Sequence, residues 1–144
     1  MAEDETLHKL TAILYADVAA YSRLTGQDEV GTHRLVMKVL DYASSLITQR
    51  EGTVLRYAGD AILAEFSSVT RLIETAAEIQ NSLAIQNSDL PESDRVELRI
   101  GANIGEVIQD RGEIFGNGVN LAARLESAAK PGGFVFQPLF TNRH

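Results

Sequence analysis

Two aspartates stand where short apolar runs meet turns: Asp17 in Ala16-Asp17-Val18, and Asp60 in Gly59-Asp60-Ala61. A carboxylate at the end of a buried strand loses hydration, which is costly unless something binds it. Taken singly, Asp17 reads as a helix cap and Asp60 as a turn residue. As neighbours, they would form an oxygen-rich site suited to a hard divalent cation and a polyphosphate. No histidine lies near either one in the sequence and the chain has no cysteine, so Mg²⁺ or Mn²⁺ suits the pair better than zinc.

A second constellation is Asn120 and Arg124, four residues apart and therefore on one face if the segment is helical. An amide and a guanidinium presented together could clamp a ribose oxygen and a phosphate oxygen. The spacing fits an ordinary solvated helix face equally well. Tyr21-Ser22 follows Asp17 at the start of an expected short helix, whose backbone N–H groups would face an anion. The three histidines, His8, His33 and His144, form no Ser-His-Asp arrangement, and no Walker A loop is present.

The elements that must position these residues follow from periodicity. The run from Leu10 to Asp17 is rich in strand formers and reads as a buried strand. Asp28 to Arg50 carries Val36, Leu40, Ala43 and Ile47 at helical spacing, closed by Gly52. Thr53 to Tyr57 and Ala61 to Phe66 read as a hairpin around Ala58-Gly59-Asp60, and Ser67 or Ser68 caps the next helix. Asn87 to Asp94 is a surface loop. Val96 to Ile104 and Glu106 to Gln109 read as a strand pair broken at Gly105. A helix is expected from Val119 to about Lys130, ended by Pro131-Gly132-Gly133, and one more strand begins at Phe134.

The order β-α-β-β-α-β-β-α-β predicts an α+β fold, with a ferredoxin-like βαββαβ core and an antiparallel sheet carrying helices on one face. Residues 1–9 are expected to be a tail, and 10–144 one domain. In a split βαβ arrangement the first and third strands are antiparallel neighbours, which brings Asp17 beside Asp60.

Composition narrows the partners. The chain has 144 residues, 44% hydrophobic and 23% charged, as expected of one globular domain. The net charge of −7 and the scattered basic residues argue against sequence-independent nucleic-acid binding. The absence of cysteine excludes disulfides and thiolate chemistry. No apolar run approaches the roughly 20 residues of a membrane span, and the acidic start is unlike a signal peptide. The expected location is cytoplasmic, which leaves room for a fused regulatory domain in a longer gene.

Four stretches together resemble the catalytic domain of the class III nucleotidyl cyclases: Tyr15-Ala-Asp-Val-Ala-Ala-Tyr-Ser22, Gly59-Asp-Ala-Ile-Leu-Ala-Glu-Phe66, Arg99-Ile-Gly-Ala-Asn-Ile-Gly-Glu-Val107 and Ile114-Phe-Gly-Asn-Gly-Val-Asn-Leu-Ala-Ala-Arg124. They keep the family's order and spacing. The resemblance implies that Asp17 and Asp60 bind two Mg²⁺ or Mn²⁺ ions per active site, with the Val18 carbonyl as a further ligand. It implies that Asn120 orients the ribose and Arg124 meets the α-phosphate. It also implies sites built across a head-to-tail homodimer, with the metals on one subunit and Asn120 and Arg124 on the other. The implied reaction turns ATP into 3′,5′-cyclic AMP and pyrophosphate.

Some positions depart from the family pattern. Arg56 and Glu113 stand where adenylate cyclases use Lys and Asp to read the base. The charge signs follow the adenine pattern, but the Arg fork is not equivalent to a Lys point charge. Ala20 replaces a usual glycine, Glu106 stands where some members carry an arginine, and the resemblance implies further strands and a late lysine beyond His144. ATP is the expected substrate. The alternatives are GTP or relaxed base choice, a weak or inactive cyclase-like module that binds nucleotide or dimerises, and a ferredoxin-like interaction domain with no nucleotide site.

Overall fold

A computed structural model describes residues 7–19 and 29–137. Tyr21 and Ser22, with Ala20, fall outside the described residues, as does the expected helix start at Asp28. The elements run β1 (Leu7–Val18), α1 (Glu29–Gln49), β2 (Gly52–Ala58), β3 (Ala61–Phe66), α2 (Val69–Ser88), a 3₁₀ turn (Glu92–Asp94), β4 (Leu98–Asp110), β5 (Glu113–Phe115), α3 (Asn117–Ala128) and β6 (Phe134–Gln137).

The sheet order is β2-β3-β1-β4-β5 with all neighbours antiparallel, and β6 pairs with β4 in parallel. β1 through β4 with α1 and α2 make the expected ferredoxin-like core. β1 lies at its centre, hydrogen-bonded to β3 on one side and β4 on the other. A central strand covered on both faces buries consecutive residues. This is why Thr11-Ala-Ile-Leu14 is buried without alternation.

The two faces carry separate cores. On one face, Leu14, Ala16, Ile62, Phe66, Leu98 and Ile100 pack against α1 and α2 through Val36, Leu40, Ile47, Leu72 and Ile79. On the other, Ile13, Leu63, Val107 and Ile114 pack against Val119 and Ala122 of α3. The expectation of helices on one face therefore holds for the two helices of the βαββαβ core. The third helix covers the opposite face, as the odd-numbered apolar residues of β1 and β3 require.

Two boundaries differ from expectation. β1 begins at Leu7 rather than Leu10, because Leu7, His8 and Lys9 pair with Gln109, Ile108 and Val107. β4 runs unbroken through Gly105. That glycine makes room rather than a turn: an added Cβ would lie 3.0 Å from the Gly118 Cα and 2.8 Å from the Asn103 amide nitrogen. The hairpin instead closes at Arg111-Gly112, between the paired Asp110 and Glu113. Ser68, not Ser67, caps α2 and accepts from the Arg71 N–H at 3.2 Å.

Candidate active site

The two aspartates are brought together by strand register. Asp17, at the C-terminal end of β1, is paired directly with Ala61, the residue after Asp60. Asp60 is the second residue of a two-residue turn between the paired Ala58 and Ala61. Gly59 opens that turn at φ +63°, the glycine placement of a type II′ hairpin. An added Cβ at Gly59 would meet nothing within 4 Å, so glycine is needed there for the dihedral alone. Val18 sits one residue on, with its side chain in the core.

Asp17 belongs to the odd-numbered set of β1, so it points to the α3 side of the sheet. Its cross-strand partner on β4 is Arg99. From above, α3 adds Glu126, only 3% exposed. The approach is close because β4 has Gly101 beneath the helix: a Cβ there would fall 2.1 Å from the Glu126 nitrogen and 2.6 Å from the Ala122 carbonyl oxygen. Arg99 Nε lies 3.7 Å from Asp17 Oδ1 and 3.4 Å from Glu126 Oε2. Those three buried atoms have no hydrogen-bond partner.

The electrostatics point one way. Burial raises the pKa of Asp60, with the Asp17 charge adding to it against a backbone hydrogen bond that lowers it. Burial pushes the Glu126 carboxyl up to about 8, helped by a hydrogen bond and charge repulsion from Asp17 and opposed by Arg99. Burial also raises Tyr15, with Glu126 and Asp17 adding to the shift. The Asp17 charge disfavours that of Asp60, a repulsion that a divalent cation between them would relieve. The unbonded Asp17 Oδ1 fits a ligand role. Among the described residues no three His, Asp or Glu side chains form a ready-made cation cage. Asp17 and Asp60 would thus leave most positions of a six-coordinate ion to main chain, water and phosphate oxygens.

Asn120 and Arg124 are both exposed on α3. Arg124 precedes Glu126 by two residues, roughly 200° around the helix, so the helix that lowers Glu126 onto Asp17 points Arg124 away from it. Within one chain the two halves of the expected site are not brought together. Arg56 and Glu113 do meet: Arg56 Nη1 lies 3.8 Å from Glu113 Oε1 and donates to the Ile114 carbonyl at 2.9 Å. That bond joins the two outermost strands of the β2-to-β5 path, β2 and β5, across the face that carries α3.

Sequence reasoning missed Arg99 and Glu126. The available signal was a charged residue inside the apolar pattern Leu98-Arg99-Ile100 and a glutamate four residues after Ala122 on the buried stripe of α3. Asn103 went unnoticed too; it is fully buried, with neither amide atom paired.

The model of the adenylate and guanylate cyclase catalytic domain matches residues 4–135. A Rhizobium meliloti (strain 1021) protein named "Putative adenylate cyclase 3" is 41% identical over 134 residues, covering 92% of this chain and 23% of that protein. A Streptomyces coelicolor adenylate cyclase is 31% identical over 130 residues, 88% of this chain and 32% of its own length. The chain thus spans under a third of either relative. Among solved structures, an adenylate/guanylate cyclase/hydrolase from Silicibacter pomeroyi superposes with a TM-score of 0.82 at 36% identity, covering 90% of this chain and 77% of that one. The described residues include no helix long and apolar enough to cross a membrane. With the match extending over nearly the whole chain and the superposition agreeing with it, this chain belongs to the adenylate and guanylate cyclase catalytic domain family.

Proposed function

We propose that the domain converts ATP to 3′,5′-cyclic AMP and pyrophosphate, at sites that two copies of the chain complete for one another. The observation that carries this reading is the split on α3. Glu126 faces the Asp17 pocket of its own chain, while Asn120 and Arg124 face solvent, where only another molecule can meet them. A head-to-tail pair would bring one chain's Asn120 and Arg124 to the other chain's Asp17 and Asp60.

In that site Asp17 and Asp60, with the Val18 carbonyl, would hold two Mg²⁺ or Mn²⁺ ions. When bound, the cations lower the pKa of the ribose 3′-hydroxyl and offset the triphosphate charge. Asn120 would orient the ribose so that its 3′-oxygen lies in line with the α-phosphorus. Arg124 would stabilise charge building on the α-phosphate oxygens as the new ester bond forms and pyrophosphate leaves. Tyr21 and Ser22 are proposed as further phosphate contacts. Arg56 and Glu113 would read the base: their proximity supports a paired cation and carboxylate, the sign pattern that suits N1 and the 6-amino group of adenine. Their mutual contact also favours a second reading, relaxed choice between ATP and GTP, since each partner satisfies the other without a base.

The test is product formation by the full-length protein with Mn²⁺ and ATP or GTP. Asp17→Ala and Arg124→Ala should each be inactive alone. Mixed in equal amounts and allowed to exchange subunits, they should recover about a quarter of wild-type activity, since half the dimers would carry one intact site of two. Recovery of no activity, with exchange verified, would refute the shared site. Equal turnover of ATP and GTP would establish the second reading.

A further inference from the structure

Asp60 sits in the turn beyond the ends of β2 and β3, so its carboxyl is not confined to one face of the sheet. It feels the Asp17 charge. It also lines a cavity of about 290 Å³ between the turn and α1, to which α1 supplies His33, Val36 and Met37. Spacings of three and four residues put these three side chains on one helical face. Val36 is fully buried in the core and fixes that face, which holds His33 at the solvent-exposed rim. Among the described residues the imidazole makes no hydrogen bond, and no ion pair joins it to Asp60. A donor and a carboxylate thus share one cavity without closing on each other.

We propose that His33 is a further substrate-contacting residue, whose imidazole N–H donates to a terminal phosphate oxygen of the nucleotide and, after the reaction, to pyrophosphate. This rests on the reading of Asp60 as a cation ligand. A polyphosphate on a cation at Asp60 presents anionic oxygens beside that carboxylate, where they need donors rather than more acceptors. Val36, Met37 and Gly59 bring no polar side chain to the cavity, so among the described residues His33 is the one lining side chain that supplies an N–H. The imidazole carries an N–H in both protonation states, so the contact does not depend on its charge. The competing arrangement makes His33 a ligand of the cation itself. Against it, the described histidines and carboxylates do not gather closely enough to hold an ion between three of them.

The experiment titrates the full-length protein with pyrophosphate in the presence of Mn²⁺ by calorimetry, and with Mn²⁺ alone by electron paramagnetic resonance, so no turnover is needed. Asp60→Asn should weaken Mn²⁺ binding; if it does not, the cation reading of Asp60 fails, whatever His33 does. His33→Ala should weaken pyrophosphate binding about tenfold, the loss expected for one hydrogen bond to a charged group, and leave the binding of Mn²⁺ alone within about twofold of wild type. His33→Gln, which keeps an N–H of similar reach, should hold pyrophosphate within about threefold of wild type. His33 is exposed, so neither change should disturb the fold, and unaltered thermal midpoints check this. Equal weakening of Mn²⁺ alone in His33→Ala would overturn the proposal by making the imidazole a cation ligand. Pyrophosphate affinity that is unchanged in His33→Ala, equally lost in His33→Gln, or absent from the wild type would overturn it as well.

Discussion

Glu126 should make the metal-free domain lose stability as pH rises, and Glu126→Gln should abolish that loss. The carboxyl is 3% exposed, and burial with Asp17 beside it raises its pKa from 4.5 to about 8. The unfolded chain releases this proton near pH 4.5, whereas the folded chain keeps it until about pH 8. Between those values the folded state binds one more proton, so the slope of unfolding free energy against pH is negative. Its size is about 1.4 kcal/mol per unit. The contribution is intact below pH 4.5 and fully lost above about 8. Over that window the loss is on the order of 5 kcal/mol, set against a typical total of about 5–15 kcal/mol.

For 144 residues the unfolding entropy is about 0.3 kcal/mol per kelvin, so the midpoint should drop by roughly 4–5 °C per pH unit from this group. Thermal and urea unfolding of the wild type and Glu126→Gln, in EDTA from pH 5 to 8, isolates the difference from other titrating groups. Gln keeps the shape and the acceptor but cannot ionise. The wild-type midpoint should fall away from that of the variant as pH rises. Parallel curves would refute the reasoning, because they would mean that Glu126 titrates alike in both states.

Asp60→Asn should abolish Mn²⁺-dependent product formation while raising the metal-free midpoint by a degree or more, since burial and Asp17 both disfavour the Asp60 charge; a lowered midpoint in EDTA would contradict the electrostatic account. Gly101→Ala should cost about 1–3 kcal/mol or more in urea unfolding, because its Cβ would strike the α3 backbone at Glu126 and Ala122. Gly59→Ala should cost about 1–2 kcal/mol for a different reason, the positive φ, and a smaller loss in the uncrowded turn than at Gly101 is the comparison to make. Arg56→Ala removes the bond to the Ile114 carbonyl that links β2 with β5, and should lower stability by about 1 kcal/mol while changing the ratio of ATP to GTP turnover.

Periodicity made the frame readable because each element carries a strong local signal. The helical spacing of Val36, Leu40, Ala43 and Ile47 marks α1, and Gly59-Asp60 between two apolar runs marks the hairpin. From a split βαβ arrangement the adjacency of Asp17 and Asp60 follows by counting strands. What local signals do not carry is which face a later helix covers. The apolar stripe of α3 is the same whichever side of the sheet it lands on, and only the odd-numbered residues Ile13, Leu63 and Val107 require the second side. Gly105 misled for a related reason: a glycine that makes room for a helix and a glycine that breaks a strand look alike in sequence. Arg99 and Glu126 were hidden because each reads as an ordinary charged residue until the strand register sets Arg99 opposite Asp17 and Gly101 admits the helix above it. Asp17 and the charged groups beside it, Arg99 and Glu126, come from three distant segments. Aspartates at strand ends are therefore visible one at a time, whereas the cluster of Asp17, Arg99 and Glu126 exists only once β1, β4 and α3 have packed.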